Sequence, residues 1–139
     1  MDSEVKREII MEHYQNPLNR DKIINDGYEK VNTANQSCID NLDLYILIKD
    51  GKVLDIAFTG EACAISISST SIMIKNLIGK TIEEAKKYVN SFLNMVNEKE
   101  YDNNILNEAL VYEDIYKQQS RKTCATLPYR GILEVLEKY

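Results

Sequence analysis

The sequence has no uninterrupted apolar run approaching the roughly 18 residues that a membrane-spanning helix needs. Its N-terminus, MDSEVKREII, is charged and does not have the apolar centre of a secretory signal peptide. A basic patch is also missing, because 17 lysines and arginines are interleaved with 22 acidic residues and the net charge is −5. These absences argue against a membrane or a nucleic acid as a partner, and we expect a cytoplasmic protein.

Histidine and cysteine are scarce as well. The one histidine, His13, is the only candidate for histidine-based catalysis, and a packed structural residue is the favoured interpretation. The chain has three cysteines, an odd number, and the cytoplasm keeps thiols reduced. A disulfide framework is therefore disfavoured, and a reactive or metal-binding set of cysteines is the better interpretation.

The composition that remains is that of an ordinary globular protein. The 139 residues are 44% hydrophobic and 28% charged, and this length suits one hydrophobic core. No repeat, low-complexity tract or linker interrupts the chain. We therefore expect a single domain that covers residues 1–139.

The first half of the chain predicts one helix followed by a small antiparallel sheet. Apolar residues recur at helical spacing from Asp2 to Tyr14, and a first strand is predicted near Tyr28 to Asn32. Two apolar runs, Leu42 to Ile48 and Val53 to Phe58, flank Asp50-Gly51. An Asp-Gly pair between such runs is a strong hairpin signal, because both turn positions need a positive φ.

The second half of the chain predicts helices. Gly79 stands where a C-terminal glycine belongs, and Thr81 with Glu84 forms a capping box. Pro128 suits the first turn of a helix. The predicted helices are Ala64 to Ile78, Ile82 to about Glu98, a weaker one from Ile105 to Gln118, and a last one from Pro128 to near Lys138. The fold class is α+β, with a small antiparallel β-sheet of about three strands packed against several helices.

Each cysteine falls at a predicted junction between elements. Cys38 precedes the hairpin, Cys63 follows it, and Cys124 lies just before the predicted last helix. The hairpin should bring Cys38 and Cys63 together, whereas no pattern places Cys124. Asp40 follows Cys38 by two residues, so an extended backbone directs both side chains to the same side. Three thiolates and a carboxylate would suit tetrahedral Zn²⁺. The alternative is that the cysteines are simply small, buried apolar residues.

Four segments resemble the U-type iron–sulfur assembly family, which comprises IscU, the NifU N-terminal domain and SufU. EHYQNPLNR resembles the family's H-Y-x-N-P-x-N segment, and NQSCIDN resembles its C-G-D segment. GEACAISISSTSIM resembles its second cysteine segment, and RKTCATLPY its third. Within the motif, Ile39 replaces the glycine of C-G-D. A β-branched residue does not readily adopt a positive φ, so we expect the loop between Cys38 and Asp40 to differ in shape from that of the family. The implied fold is SufE/NifU-like.

The SufU branch is the most similar part of this family. Sixty residues separate Cys63 from Cys124 (124 − 63 − 1), more than is usual in the scaffold branch. The scaffold branch carries a histidine directly before its third cysteine, and this chain has Thr123 there. The R-x-x-C-A-T-L pattern, residues 121–127, also resembles SufU.

This resemblance implies a zinc-dependent sulfur acceptor. Cys38 would take persulfide sulfur from a cysteine desulfurase of the SufS type and pass it to downstream iron–sulfur assembly or acceptor proteins. Cys38, Asp40, Cys63 and Cys124 would be the metal ligands. Arg121 would support the anionic site, although a solvated surface arginine is the simpler interpretation.

Two other functions stay open at this stage. The same four ligands could assemble a [2Fe–2S] cluster, in which case the protein would be a scaffold, because thiolates suit iron–sulfur clusters as well as zinc. The site could also be a purely structural zinc centre. Whether the protein is an enzyme depends on which of these functions it has.

Overall fold

A computed structural model describes residues 1–36 and 39–139. The chain has the predicted α+β architecture, with a three-stranded antiparallel sheet and helices packed against it. No helix in these two ranges combines the length and apolar character needed to cross a bilayer. In chain order the elements are α1 (Ser3–Gln15), β1 (Glu29–Ala34), β2 (Asn41–Lys49), β3 (Lys52–Glu61), α2 (Ala64–Leu77), α3 (Ile82–Val96), α4 (Asn103–Leu106), two 3₁₀ helices (Asn107–Tyr112 and Ile115–Lys117) and α5 (Gln119–Leu136).

The predicted hairpin forms β2 and β3. Asp50 and Gly51 both have positive φ, 53° and 73°, as a two-residue turn between right-twisted strands requires. The strands pair antiparallel from Lys49 opposite Lys52 to Asn41 opposite Glu61, and β1 pairs with the other edge of β2. One face of β2 belongs to the core, because Leu42, Leu44 and Ile46 are fully buried against the helices while their neighbours are not.

Helix α2 lies in the middle of the molecule. Every residue from Ser66 to Ile74 is buried, and the helix contacts α1, α5 and β3. A helix buried on all sides must satisfy its polar side chains internally. Its serines do so by bonding to neighbouring elements: the Ser69 hydroxyl donates to the Ala125 carbonyl at 2.6 Å, and Ser68 shares a 2.5 Å bond with Tyr112. The small serine side chains thus let α2 and α5 pack closely.

The helix predicted from Ile105 to Gln118 was wrong. The chain forms the short α4 and two 3₁₀ helices there instead. Asn107 adopts a positive φ of 49°, which ends α4 after Leu106. The buried residues of the segment are Leu106, Ala109, Val111 and Tyr112, and this spacing does not follow one stripe of a regular α-helix.

The predicted start of the last helix was also wrong. Helix α5 begins at Gln119, so Pro128 lies inside it and Cys124 lies in its second turn rather than before it. Proline has no N–H group, and Pro128 therefore cannot donate to the carbonyl of Cys124 four residues earlier. The hydroxyl of Ser66 donates to that carbonyl from α2 at 2.9 Å. The hydrogen bond from Ser66 on α2 thus compensates for the bond that Pro128 cannot make within α5.

Candidate metal centre

Asp40 supplies a buried carboxylate to the candidate site. It directly precedes β2 and is 1% exposed. Its Oδ1 atom accepts the backbone N–H of Cys63 at 2.7 Å. Its Oδ2 atom lies 2.9 Å from the Ser66 hydroxyl and 3.7 Å from the Cys63 sulfur. One oxygen therefore fixes the carboxylate to the start of α2, and the other points towards the thiol.

Cys63 is the N-cap residue of α2 and is half-buried. The pairing of Asn41 with Glu61 brings the residue before β2 close to the residues after β3, which is why Asp40 meets Cys63. Gly60 makes this crossing feasible. It has a φ of 124°, and a Cβ atom there would lie 2.2 Å from the Asn41 carbonyl oxygen. The hairpin geometry that the sequence indicated thus positions one thiol beside one carboxylate.

Cys124 reaches the same place from α5. Its side chain is 7% exposed, and one ligand atom from each of Asp40, Cys63 and Cys124 lies within 4.8 Å of the other two. Burial raises the pKa of the Cys124 thiol well above its ordinary value, and the neighbouring Cys63 and Asp40 raise this pKa further. A nearby cation would reverse that effect, because metal binding favours deprotonated thiols.

The donor set and its spacing suit a small tetrahedral cation. Ligands about 2.3 Å (sulfur) and 2.1 Å (oxygen) from Zn²⁺ lie roughly 3.6–3.8 Å from one another in a tetrahedron. The 3.7 Å distance between the Cys63 sulfur and Asp40 Oδ2 agrees with this value. Two sulfurs and one oxygen leave a fourth position for a further ligand. The three described residues could therefore hold zinc or another thiophilic metal.

The other two predicted site residues are Cys38 and Arg121. Cys38 lies outside the described residues, so its predicted approach to Cys63 stays a prediction. Its neighbour Ile39 is 74% exposed. Arg121 lies on the surface in the first turn of α5, three residues before Cys124.

His13 is a packed residue, as predicted. It is 7% exposed, and its Nδ1 atom lies 2.7 Å from the Ser71 hydroxyl while its Nε2 atom lies 3.3 Å from Glu108. The Ser71 oxygen also accepts the backbone N–H of Leu18 at 2.9 Å. This network attaches the segment after α1 to the buried helix α2.

Ser66 is the residue of the site that sequence reasoning missed. Its hydroxyl contacts both Asp40 and the Cys124 carbonyl at 2.9 Å. The signal that could have found it is Pro128, which stands four residues after Cys124 and leaves that carbonyl in need of another donor.

Known proteins are similar to this chain over nearly its whole length. The chain is 35% identical over 127 residues to the zinc-dependent sulfurtransferase SufU of Bacillus subtilis, which covers 91% of this chain and 85% of that protein. It is 31% identical over 131 residues to the iron–sulfur cluster assembly scaffold protein IscU of Streptococcus pyogenes, covering 94% and 81%.

Solved structures give the same result. A crystal structure from Fervidobacterium islandicum, described as a putative iron–sulfur cluster assembly scaffold protein for the SUF system, has a TM-score of 0.86 at 32% identity and covers 93% of this chain and 94% of that one. The NifU-like N-terminal protein of Brucella abortus, at 18% identity and a TM-score of 0.82, shares the fold over 99% of both chains. The NifU-like N terminal domain family matches residues 5–125. The chain therefore belongs to the NifU-like N-terminal domain family.

Proposed function

We propose that this protein acts in iron–sulfur cluster assembly as a zinc-dependent sulfur acceptor, which takes persulfide sulfur from a cysteine desulfurase onto Cys38. The observation that carries the proposal is the convergence of Asp40, Cys63 and Cys124 within 4.8 Å. Cys38 stands two residues before Asp40 in the chain. The similarity to the zinc-dependent sulfurtransferase of Bacillus subtilis supports the same choice.

The metal ligands in this proposal are Cys38, Asp40, Cys63 and Cys124. Bound zinc would keep the thiols deprotonated at neutral pH and protect them from oxidation to a disulfide. The buried carboxylate and the two described thiols border or belong to three different elements, β2, α2 and α5. Three of the four proposed ligands are therefore positioned by the packing of the fold.

Cys38 is the acceptor in this proposal because the other two thiols are poorly placed to meet a large partner. Cys124 is 7% exposed and is part of a regular helix, and Cys63 is half-buried at the N-cap of α2. Cys38 is the remaining thiol of the proposed ligand set, and the resemblance to the U-type family implies that it is the acceptor.

The transfer itself is an exchange between a thiolate and a persulfide. The Cys38 thiolate attacks the outer sulfur of the persulfide on the desulfurase cysteine, a new S–S bond forms, and the old S–S bond breaks. The desulfurase cysteine leaves as a thiolate with the electron pair of the broken bond, and Cys38 becomes the persulfide. No oxidant or reductant is needed. Arg121, on the surface of α5 three residues before Cys124, would stabilise the anionic sulfur of the persulfide.

The second candidate function is that of a scaffold on which a [2Fe–2S] cluster is assembled before its transfer to target proteins. The 31% identity to the scaffold protein IscU of Streptococcus pyogenes favours it. The same thiols and carboxylate could bind either zinc or an iron–sulfur cluster. Thr123 favours the zinc-dependent acceptor instead, because the scaffold branch of the family carries a histidine at this position.

The test is sulfur transfer to Cys38→Ala, with the unmodified protein as reference. Each protein is incubated with a cysteine desulfurase and cysteine, and bound sulfane sulfur is followed by mass spectrometry. We expect the unmodified chain to gain one sulfur atom on Cys38, and the variant to gain none while it retains part of its zinc. Sulfur acceptance at the normal rate by Cys38→Ala would contradict the assignment.

Anaerobic reconstitution with iron and sulfide distinguishes the two candidates. A tightly bound, colourless zinc ion that iron does not displace supports the sulfur acceptor. A stable coloured cluster with the visible absorption of a [2Fe–2S] centre supports the scaffold.

A further inference from the structure

The Ser66 hydroxyl lies between two acceptors that belong to two different metal ligands. Its oxygen is 2.9 Å from Asp40 Oδ2 and 2.9 Å from the backbone carbonyl oxygen of Cys124. The residue is completely buried, so no bulk water can replace either contact. Ser66 therefore connects the carboxylate that precedes β2 with the thiol-bearing turn of α5.

A hydroxyl has one proton and can donate to only one of these acceptors at a time. An ionised carboxylate and a carbonyl both accept only. A buried acceptor that is left without a donor is destabilising. The Ser66 proton therefore serves one of these two acceptors at a time.

The position of Pro128 removes the usual donor to the Cys124 carbonyl. In a regular helix the carbonyl of Cys124 would accept the N–H of the residue four positions later. That residue is Pro128, which has no N–H. The Cys124 carbonyl thus lacks its normal helical donor, and the Ser66 hydroxyl supplies one from α2.

We propose that Ser66 is the positioning residue of the metal centre, which sets the distance between Asp40 and Cys124 and gives its proton to the Cys124 carbonyl when a cation takes Asp40 Oδ2. This inference rests on the proposed function, because it assumes that these residues bind a metal. Residues that orient metal ligands in this way typically contribute 10–100-fold to metal affinity. Ser66 acts through the two ligands that it contacts, so its proposed role is positioning rather than catalysis.

Ser69 provides a matched control on the same helix. It is also completely buried, and its hydroxyl also donates to a carbonyl of α5, that of Ala125, at 2.6 Å. It makes no hydrogen bond to Asp40 among the described residues. Ser66→Ala and Ser69→Ala therefore both remove one bond between α2 and α5, but only Ser66→Ala removes the contact with a metal ligand.

The experiment measures zinc affinity by competition with a chromophoric chelator for the unmodified chain, Ser66→Ala and Ser69→Ala. Cobalt substitution adds a second readout, because its visible spectrum reports the ligand geometry. We expect Ser66→Ala to bind zinc 10–100-fold more weakly with an altered cobalt spectrum, and Ser69→Ala to stay within threefold of the unmodified chain. Equal affinities for the two variants would overturn the role of Ser66.

A second pair of variants covers the case in which Ser66→Ala does not fold. Ser66→Thr and Ser66→Val have side chains of nearly the same shape, but only threonine retains the hydroxyl. Tighter zinc binding by the threonine variant supports the proposal, and equal binding by both contradicts it. If the unmodified chain itself binds no zinc, the proposed function fails, whereas normal zinc binding and sulfur transfer with no effect at Ser66 overturns this inference alone.

Discussion

Asp55 shows how one carboxylate attaches a long irregular segment to the sheet. Its Oδ2 atom on β3 accepts the Lys22 ammonium at 2.8 Å and the Tyr28 hydroxyl at 2.5 Å, and its Oδ1 atom accepts the Asn19 amide at 3.3 Å. Burial raises the pKa of the Asp55 carboxyl, but the hydrogen bonds from Lys22 and Tyr28 outweigh burial and hold this pKa below its ordinary value. The hydrogen bond to Asp55 raises the pKa of the Tyr28 hydroxyl to about 12.

These two pKa changes give the Tyr28–Asp55 bond a defined pH range. The Asp55 pKa is lowered on folding, so its stabilising effect is present above the ordinary carboxyl pKa near 4 and is lost as the pH falls through the lowered value. The Tyr28 pKa is raised on folding, so its effect is complete below pH 10 and is lost as the pH rises from 10 to about 12. The bond therefore stabilises the fold between roughly pH 4 and 10.

We expect Tyr28→Phe to lower the free energy of unfolding by about 1 kcal/mol at pH 7, because the half-buried bond is partly screened by water. The difference from the unmodified chain should shrink at both ends of the pH range. Urea unfolding at a series of pH values measures it. Tyr45→Phe, which changes a half-buried tyrosine on β2 outside this cluster, is the control. A difference that does not change with pH would contradict this account of the bond.

Local sequence signals predicted most of the elements. Asp50-Gly51, Gly79 and the Thr81–Glu84 capping box are all realised, since φ of Gly79 is 93° and both bonds of the capping box form. Each of these signals depends on residues within a few positions of one another. The helix predicted from Ile105 to Gln118 and the start of α5 were mispredicted. Asn107 interrupts the first with a positive φ, and a contact from α2 compensates for Pro128 in the second.

The part of the site that depends on residues close together in the chain was predictable, as it was for the elements. The hairpin fixes the approach of Asp40 to Cys63, and this follows from residues that are close in the chain. Cys124 joins them only because α2 packs on α5, a contact between residues almost sixty positions apart. From the sequence, only the family resemblance placed Cys124 in the site. Pro128 indicates that the Cys124 carbonyl needs another donor, but no local pattern identifies Ser66 as that donor.

The packing of α2 on α5 makes a testable prediction about Pro128. Pro128→Ala supplies the N–H group that the Cys124 carbonyl lacks, so this carbonyl would no longer depend on Ser66. We therefore expect Ser66→Ala to cost about 1 kcal/mol less in the Pro128→Ala background than in the unmodified chain. Urea unfolding of the metal-free forms of the four proteins gives the coupling energy. Equal costs in both backgrounds would show that Ser66 does not compensate for the proline.

At the scale of the whole molecule, the candidate metal centre joins elements from both halves of the chain. Asp40 borders the sheet, Cys63 begins α2, and Cys124 belongs to α5. In an unfolded chain these residues are far apart, so a metal that requires all of them binds the folded state almost exclusively. Metal binding should then stabilise the entire fold and not only the loops around the site.

We expect zinc to raise the temperature of unfolding accordingly. A zinc concentration 100 times the dissociation constant contributes about 2.7 kcal/mol, which corresponds to roughly 8–10 °C for a chain of this length. Calorimetry with added zinc and then with excess chelator measures the shift. In Asp40→Ala the starting temperature will differ, but the shift itself should be much smaller, because the remaining thiols bind zinc more weakly. Shifts of equal size in both proteins would mean that zinc binds somewhere other than at this centre.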